Sequence, residues 1–551
     1  MRSLAASLRL PWLPVFGLVL LAAMRWWWLD AYPLNSDEAQ HAHVAWSWTQ
    51  GWTIYRDTFD NHGPLFSWLN SWLMRLIGER EDVLYWLRLA MQLWYALALW
   101  AVWRMGRRMF GPGLAWAGMF LAAVELRFFL ISGQFRTDDM WAAAWLCALA
   151  AVVGAPSRAW RWFLFGCGAG VAIAVSQKTV VLLATSAVSA LLVCLAVRPS
   201  TVRFRARHAA AALLGFMIVP GAFVLWLGWH GLLGNAWYAL VTYNVGGVSK
   251  TDALAKLLLA LMIYAGLTLA VMRYLRADAA PGFDGPAFLF LQSSGYLLLV
   301  WFVWPLVTAQ DFLPAIPPLM LVLCAAFAQV PWLDGHPARR RFVAVTAVLV
   351  ECAFLFALQP PWHDRMAPQR EALRTVLRYT DKGDTVMDPK GDAIFRRRAH
   401  FSIIESLAMV RMREGLLHDS VAGDMVREGS MLVFNLRLPP ASEAFVWKNF
   451  LPVEGDIWMA GQCVGQGMDR NIVVGMPGDY TLVDASGSVP ASMDGLPLSD
   501  HWKLAAGRHQ LRVEVTRPLA LVWTRAWQRG WRPVSLAPAD AGHPAAVVVC
   551  H

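Results

Sequence analysis

Segments of mostly apolar residues recur along this chain at 11–29, 83–103, 112–131, 139–155, 160–176, 179–197, 209–229, 253–272, 286–307, 312–331 and 342–359. Each has close to the length a helix needs to cross a bilayer, roughly 20 residues. A chain with about eleven such segments cannot hide them all in a water-soluble core. Residues are 57% hydrophobic and 31 are Trp, which agrees with a polytopic membrane protein. The expected fold is an all-α polytopic membrane domain of about eleven transmembrane helices over residues 1–360.

The formal charge of +10 would suggest nucleic acid as a partner of a soluble protein. Here its distribution reports topology instead, and no nucleic acid is expected. Arg2 and Arg9 precede the first apolar segment; Arg104, Arg107 and Arg108 follow the second, and Arg158 and Arg161 the fourth. Arg198, Arg203, Arg205 and Arg207 follow the sixth, Arg273 and Arg276 the eighth, and Arg339, Arg340 and Arg341 the tenth. Every alternate loop is Arg-rich, so by the positive-inside rule those loops are cytoplasmic. The N-terminus is then cytoplasmic, and the loops at 30–82, 132–138 and 230–252 lie outside with the C-terminal region. The first segment ends in RWWWLD without a small-residue cleavage site, so it reads as a retained span. A bacterial inner membrane is the expected location.

After Leu358 the chain turns polar and is broken by Pro and Gly. Residues 361–455 read as a periplasmic α/β region: a helix over Ala367–Tyr379, a strand over Thr385–Met387, a second helix over Gly391–Arg398 and a strand over Met431–Leu438. Residues 456–551 alternate apolar and polar between turn residues and read as a β-rich, sandwich-like module. Of seven Cys, only Cys463 and Cys550 fall in this external region, where a disulfide is permitted.

The loop at 30–82 is more than a connection. In LNSDEAQHAHVAWSWTQGW, Ser36 is placed to cap a helix reaching about Gln50, and Gly63–Gly78 forms a second, amphipathic helix rich in Trp and Leu. Both are expected to lie at the membrane interface. Asp37 and Glu38 fall in the first turn, where free N–H groups favour ionised carboxylates, and His41 shares the face of Asp37. Acidic residues at helix starts are ordinary, so capping explains them equally well.

A second acidic pair, Asp138 and Asp139, stands at the outer end of the fourth segment, on the same side as Asp37; helix capping again competes. Carboxylates that accept a proton from a hydroxyl are what glycosyl or acyl transfer requires. Cations suited to an anionic lipid head group lie on the same side: Arg136, Lys178, Lys250 and, when protonated, His62. Each also fits a snorkelling or solvated role. Glu125 and Glu351 lie within apolar segments, where a charge is costly; pairing of Glu125 with Arg127 is one account, and Glu351 has none. A divalent metal near the carboxylates is compatible with these residues, but no ligand spacing demands one.

The motifs NSDEAQHAHVAWSWTQG, DNHGPLFSWL, RTDDMWAAAW, SQKTVVLL and DFLPAIPPL, in this order, resemble those of the GT-C glycosyltransferases. The protein O-mannosyltransferases and the lipid A aminoarabinose transferase are the nearest in pattern, over Leu29 to Leu323. The resemblance implies an enzyme that moves a sugar from a polyprenyl-phosphate donor to a glycan, lipid or protein acceptor on the non-cytoplasmic face, inverting the anomeric centre. It implies Asp37 as base, with Glu38 beside it, a second acid at Asp138 or Asp139, and Lys178 as the basic residue after the fifth span. Two departures stand out. His62-Gly63-Pro64-Leu65 replaces the common Lys-Pro-Pro-Leu, and Gln310-Asp311 replaces Arg-Tyr. A transporter or flippase of a lipid-linked sugar is the competing class; it predicts repeat symmetry and broken spans near the midplane, and neither is evident.

Overall fold

The computed structural model describes residues 12–154, 157–196, 205–245, 250–278, 284–304, 307–464, 468–497, 501–514 and 517–533. Among the described residues, each of the apolar segments is largely helical. The helical part runs through α1 (Trp12–Trp27), α2 (Ser36–Thr49), α3 (Pro64–Ile77), α4 (Val83–Met109), α5 (Pro112–Val124) and α6 (Leu126–Ile131). It continues with α7 (Thr137–Val152), α8 (Ala159–Val175), α9 (Thr179–Ala196), α10 (Ala206–Trp229), α11 (Leu233–Trp237) and α12 (Tyr243–Val245). It closes with α13 (Lys250–Asp278), α14 (Gly285–Val303), α15 (Ile316–Phe327) and α16 (Pro337–Leu358).

Among the described residues, four helical stretches are long and apolar enough to cross a membrane: Ala206–Trp229, Leu254–Val271, Gly285–Phe302 and Pro337–Leu358. Five shorter apolar helices accompany them. Helix α10 exposes Leu213, Leu214, Met217, Ile218 and Leu225, and α16 exposes Phe342, Val345 and Leu349. Such surfaces are stable against lipid rather than water. Helix α7 is the opposite case, buried along nearly its whole length, and it carries Asp138 and Asp139 into the centre of the bundle.

The break between α5 and α6 accounts for the half-buried glutamates within the apolar segments. Glu125 Oε2 accepts the N–H of Phe128 at 2.8 Å, so its side chain caps α6 rather than pairing with Arg127. Glu351, on α16, faces this break beside the backbone N–H of Leu126. The Glu125 carboxylate therefore satisfies a backbone donor that the helix break leaves open.

The C-terminal region holds α17 (Ala367–Tyr379), α18 (Ser406–Arg413), α19 (Val421–Glu428), α20 (Pro440–Asn449) and α21 (Thr524–Gln528). Its strands are β1 (Thr385–Met387), β2 (Arg397–Arg398), β3 (Leu432–Phe434), β4 (Phe450–Glu454), β5 (Ile457–Val464) and β6 (Asp469–Val474). Six more follow: β7 (Gly478–Val483), β8 (Ser492–Met493), β9 (Leu496–Pro497), β10 (Trp502–Leu504), β11 (Gly507–Arg512) and β12 (Leu519–Trp523). One eight-stranded sheet has the order β10-β7-β12-β5-β3-β1-β2, with β4 also on β5; a four-stranded sheet has the order β6-β11-β8-β9. Strands β2, β1 and β3 are parallel, whereas β3 meets β5 antiparallel. The sheet therefore runs continuously across residue 455, and one apolar core joins Val386 and Leu432 to Leu482, Leu511 and Leu521. Cys463 is disulfide-bonded; Cys550 lies outside the described residues.

Helix α17 and strand β1 fall where the sequence pattern puts them, but two expectations change. Gly391–Arg398 is a turn ending in β2, not a helix, because Asp388 accepts the N–H groups of Gly391 and Ala393 and holds the chain in a loop. The strand expected over Met431–Leu438 shortens to β3, since the chain turns at Leu436, whose N–H bonds to Phe434 O.

The two parts dock through Arg374 on Glu81 (2.6 and 2.8 Å), Arg396 on Glu79 (3.1 Å) and Arg411 on the carbonyls of Thr242 and Tyr243 (2.6 and 2.9 Å). Docking buries α2: every residue from Glu38 to Ser47 is enclosed, so α2 has no face for lipid. Helix α3 does, exposing Trp68, Leu69, Trp72 and Leu76.

Candidate active site

The start of α2 fixes the first acidic pair. Asn35, rather than Ser36, is the N-cap: its Oδ1 accepts the N–H of Asp37 at 3.0 Å, while Glu38 Oε1 accepts the N–H of Asn35 at 3.0 Å. This reciprocal capping box sends the two neighbouring carboxylates in different directions.

Glu38 turns inward. It receives Arg88 through two hydrogen bonds of 2.7 Å, and Oε2 also accepts the N–H of Phe135 at 2.9 Å. Arg88 spends its remaining donors on the carbonyls of Leu29, Tyr32 and Pro33. Neither side chain is more than 1% exposed, so Glu38 is a saturated internal anchor that ties α2 to α4 and to the loop before α7.

Asp37 turns toward a charged cluster and keeps 18% of its side chain exposed. Arg136 Nη2 meets Asp37 Oδ2 at 2.5 Å, and Arg136 Nε meets Asp138 Oδ2 at 3.1 Å. Lys390, from the C-terminal region, bonds Asp37 Oδ1 and also Glu405 Oε2, the latter at 2.7 Å. Burial pushes the Asp37 carboxyl upward, but Arg136 and Lys390 outweigh it and hold the group well below the usual carboxylate range. Burial likewise opposes the charge on Lys390, and Asp37 and Glu405 raise its affinity for the proton. One guanidinium nitrogen, Arg136 Nη1, is buried with no hydrogen-bond partner. A cationic donor left open beside a partly exposed carboxylate suits an incoming anion.

The loop after β1 is built to present Lys390. Asp388 accepts from Gly391, from Ala393 at 3.2 Å and from Arg398 Nε at 3.2 Å. Gly391 has φ +96°, and a Cβ there would come within 2.8 Å of His43 Cβ. Only glycine allows both this backbone conformation and so close an approach to α2. His43 Nδ1 in turn lies 2.9 Å from Ile394 O.

The other predicted residues divide by place. Asp139 is buried and neither of its oxygens has a hydrogen-bond partner. Lys178 bonds Asp311, the residue that departs from the Arg-Tyr pattern. Asp311 is fully buried and also accepts from the N–H of Thr308 at 2.9 Å. Trp141, one turn after Asp138, donates to Thr179 beside Lys178 at 2.9 Å, which links this second ion pair to the first. His41 and His62 come together with Asp60. The side chain of Lys250 lies outside the described residues. Gly63 brings α3 against the end of α8: its N–H reaches Val175 O at 3.3 Å, and a Cβ would stand 2.1 Å from Ala174 O.

Sequence reading missed Lys390, Glu405, Asp388, Arg88 and Asp60. The one usable signal for Lys390 was Asp-Pro-Lys-Gly-Asp directly after a strand, which is turn chemistry presenting a charged residue at its tip.

Residues 61–229 match the family model of dolichyl-phosphate-mannose-protein mannosyltransferases. No curated protein matches the chain. ArnT from Cupriavidus metallidurans, solved bound to undecaprenyl phosphate and in the apo state, aligns with a TM-score of 0.54 at 13% identity. The alignment covers 81% of this chain and 98% of that one. The Archaeoglobus fulgidus oligosaccharyltransferase in its apo form gives a TM-score of 0.45 at 12% identity, over 87% of this chain and 74% of that one. The chain shares the fold of ArnT, and over residues 61–229 it resembles the protein mannosyltransferase family.

Proposed function

We propose that this protein is an integral membrane glycosyltransferase that moves a sugar from a polyprenyl-phosphate carrier to an acceptor hydroxyl at the non-cytoplasmic face. The observation that carries the reading is the Asp37 cluster: a part-exposed carboxylate held by Arg136 and Lys390, with Arg136 Nη1 open. The fold shared with ArnT, solved with undecaprenyl phosphate, supports a lipid phosphate as the donor's handle.

In this reading Arg136 and Lys390 bind the phosphate of the donor, whose prenyl tail stays in the bilayer. A carboxylate tied to two cations is a weak base, so transfer of those cations to the phosphate raises the basicity of Asp37 as the donor seats. The acceptor oxygen attacks the anomeric carbon and the bond from that carbon to the phosphate oxygen breaks. Asp37 takes the hydroxyl proton, and inversion follows from attack opposite the leaving group. Negative charge develops on the leaving phosphate beside Arg136 and Lys390, which stabilise it there. Asp138 holds Arg136, Glu405 holds Lys390, and Glu38 fixes the helix that carries Asp37. Lys178, paired with Asp311, is a further candidate cation for the lipid phosphate.

The test is the chemistry of the cell envelope. Mass analysis of envelope glycans with and without the gene should show one sugar modification lost on deletion and restored by the wild-type chain but not by Asp37→Asn. An unchanged glycan profile in the deletion would overturn the reading.

A further inference from the structure

One turn beyond Asp37 on α2, a second polar group remains unused by the transfer chemistry. His41, Asp60 and His62 each bring a potential ligand atom to within 4.8 Å of the others. His41 is 1% exposed, and neither of its ring nitrogens has a hydrogen-bond partner. A buried imidazole with both nitrogens unpaired is rare in a folded protein, because the lost hydration is normally replaced by a partner. The His41 ring packs edge-on to that of His62, with centroids 4.6 Å apart.

The other two groups are oriented. Asp60 is 1% exposed, and its Oδ1 accepts from His62 Nδ1 at 3.0 Å, from the His62 N–H at 3.1 Å and from Gln40 Nε2 at 3.2 Å. Tyr55 Oη donates to His62 O at 2.7 Å, which pins the loop. His62 keeps 25% of its side chain exposed, so the cluster is reachable from outside.

We propose that His41, Asp60 and His62 form a binding site for a divalent transition-metal ion of the zinc class. Two imidazoles and one carboxylate are the three-ligand set of zinc sites that keep an open position, whereas Mg²⁺ and Ca²⁺ favour oxygen-only shells. Metal binding itself stands apart from the transfer reading; only the use of the ion, a positive charge one helical turn from Asp37, rests on it.

The experiment uses the full chain in detergent, stripped with chelator and without donor or acceptor. Zn²⁺ is titrated calorimetrically, and Co²⁺ serves as a spectroscopic probe. Wild type should take up one equivalent of Zn²⁺ and give the visible bands of a four- or five-coordinate Co²⁺ site. His41→Ala and His62→Gln should each weaken Zn²⁺ by about tenfold or more and remove those bands. His62 is part-exposed, so His62→Gln keeps the test decisive where a core substitution at His41 fails to fold. No Zn²⁺ uptake by wild type, uptake unchanged in His62→Gln, or preference for Mg²⁺ would each overturn the proposal. The Zn²⁺ titration measures no sugar transfer, so its failure leaves the transfer reading standing, and unchanged envelope glycans in the deletion strain leave the metal site standing.

Discussion

Lys390 Nζ bonds Asp37 Oδ1 across 353 residues of sequence. The carboxylate comes from a helix between the first membrane segments and the ammonium from a turn in the C-terminal sheet region. The candidate site is therefore completed only when the two parts dock, and the C-terminal region is a component of it rather than an appendage.

This contact predicts a pH signature. Removing Lys390 takes away one of the two cations that hold Asp37 ionised, so the carboxyl affinity for protons rises. Lys390→Ala should lower transfer by about tenfold or more through loss of phosphate stabilisation. The deficit should widen from pH 8 to pH 5 as Asp37 becomes protonated, while wild type stays ionised over that range. Lys390→Arg should recover part of the loss. A deficit of constant size across pH would show that Lys390 acts without tuning Asp37.

Glu38 should behave as a structural residue. Glu38→Gln leaves the Arg88 guanidinium buried without its counter-charge, an effect of about 3–5 kcal/mol for a broken buried pair. Thermal unfolding in detergent should show a large loss of stability. A fully stable Glu38→Gln that lacks only turnover would place Glu38 in the chemistry instead.

Asp392 gives a second pH prediction. Burial, then the neighbouring Asp388 charge, raises its carboxyl from 3.8 to about 6. The folded state thus holds the proton more tightly than the unfolded state. No penalty exists below pH 3.8; it accrues between 3.8 and about 6 and is complete above that. It amounts to about 3 kcal/mol. Asp392→Asn should therefore stabilise the protein at pH 8 and do much less at pH 4.5. Equal effects at both would show that the carboxyl titrates normally in the fold.

The sequence made some of this legible and hid the rest for physical reasons. Apolar segments, helix α17 and strand β1 were readable because each depends on composition or periodicity within one stretch. The clustering of Asp37 with Arg136 and Asp138 follows from placing the ends of neighbouring helices on one side. Glu38 could not be separated from Asp37, because its role is set by Arg88, 50 residues away. Lys390 was hidden twice: its turn was read as a helix start, and its partner is set by docking. Asp60 opens the motif DNHGPLFSWL without a role of its own there, and it stands out only once His41 is seen buried and unpaired beside it.

The most direct test of the account is the rate of polyprenyl-phosphate release from a polyprenyl-phosphate sugar in membranes carrying wild-type or Asp37→Asn protein. Asparagine keeps the size and the position after the Asn35 cap but cannot take the proton. The account predicts a fall of roughly 100-fold or more, the scale of positioned proton transfer, with protein level and donor binding preserved. Release near the wild-type rate from Asp37→Asn would contradict it and move the base to Asp138 or Asp139.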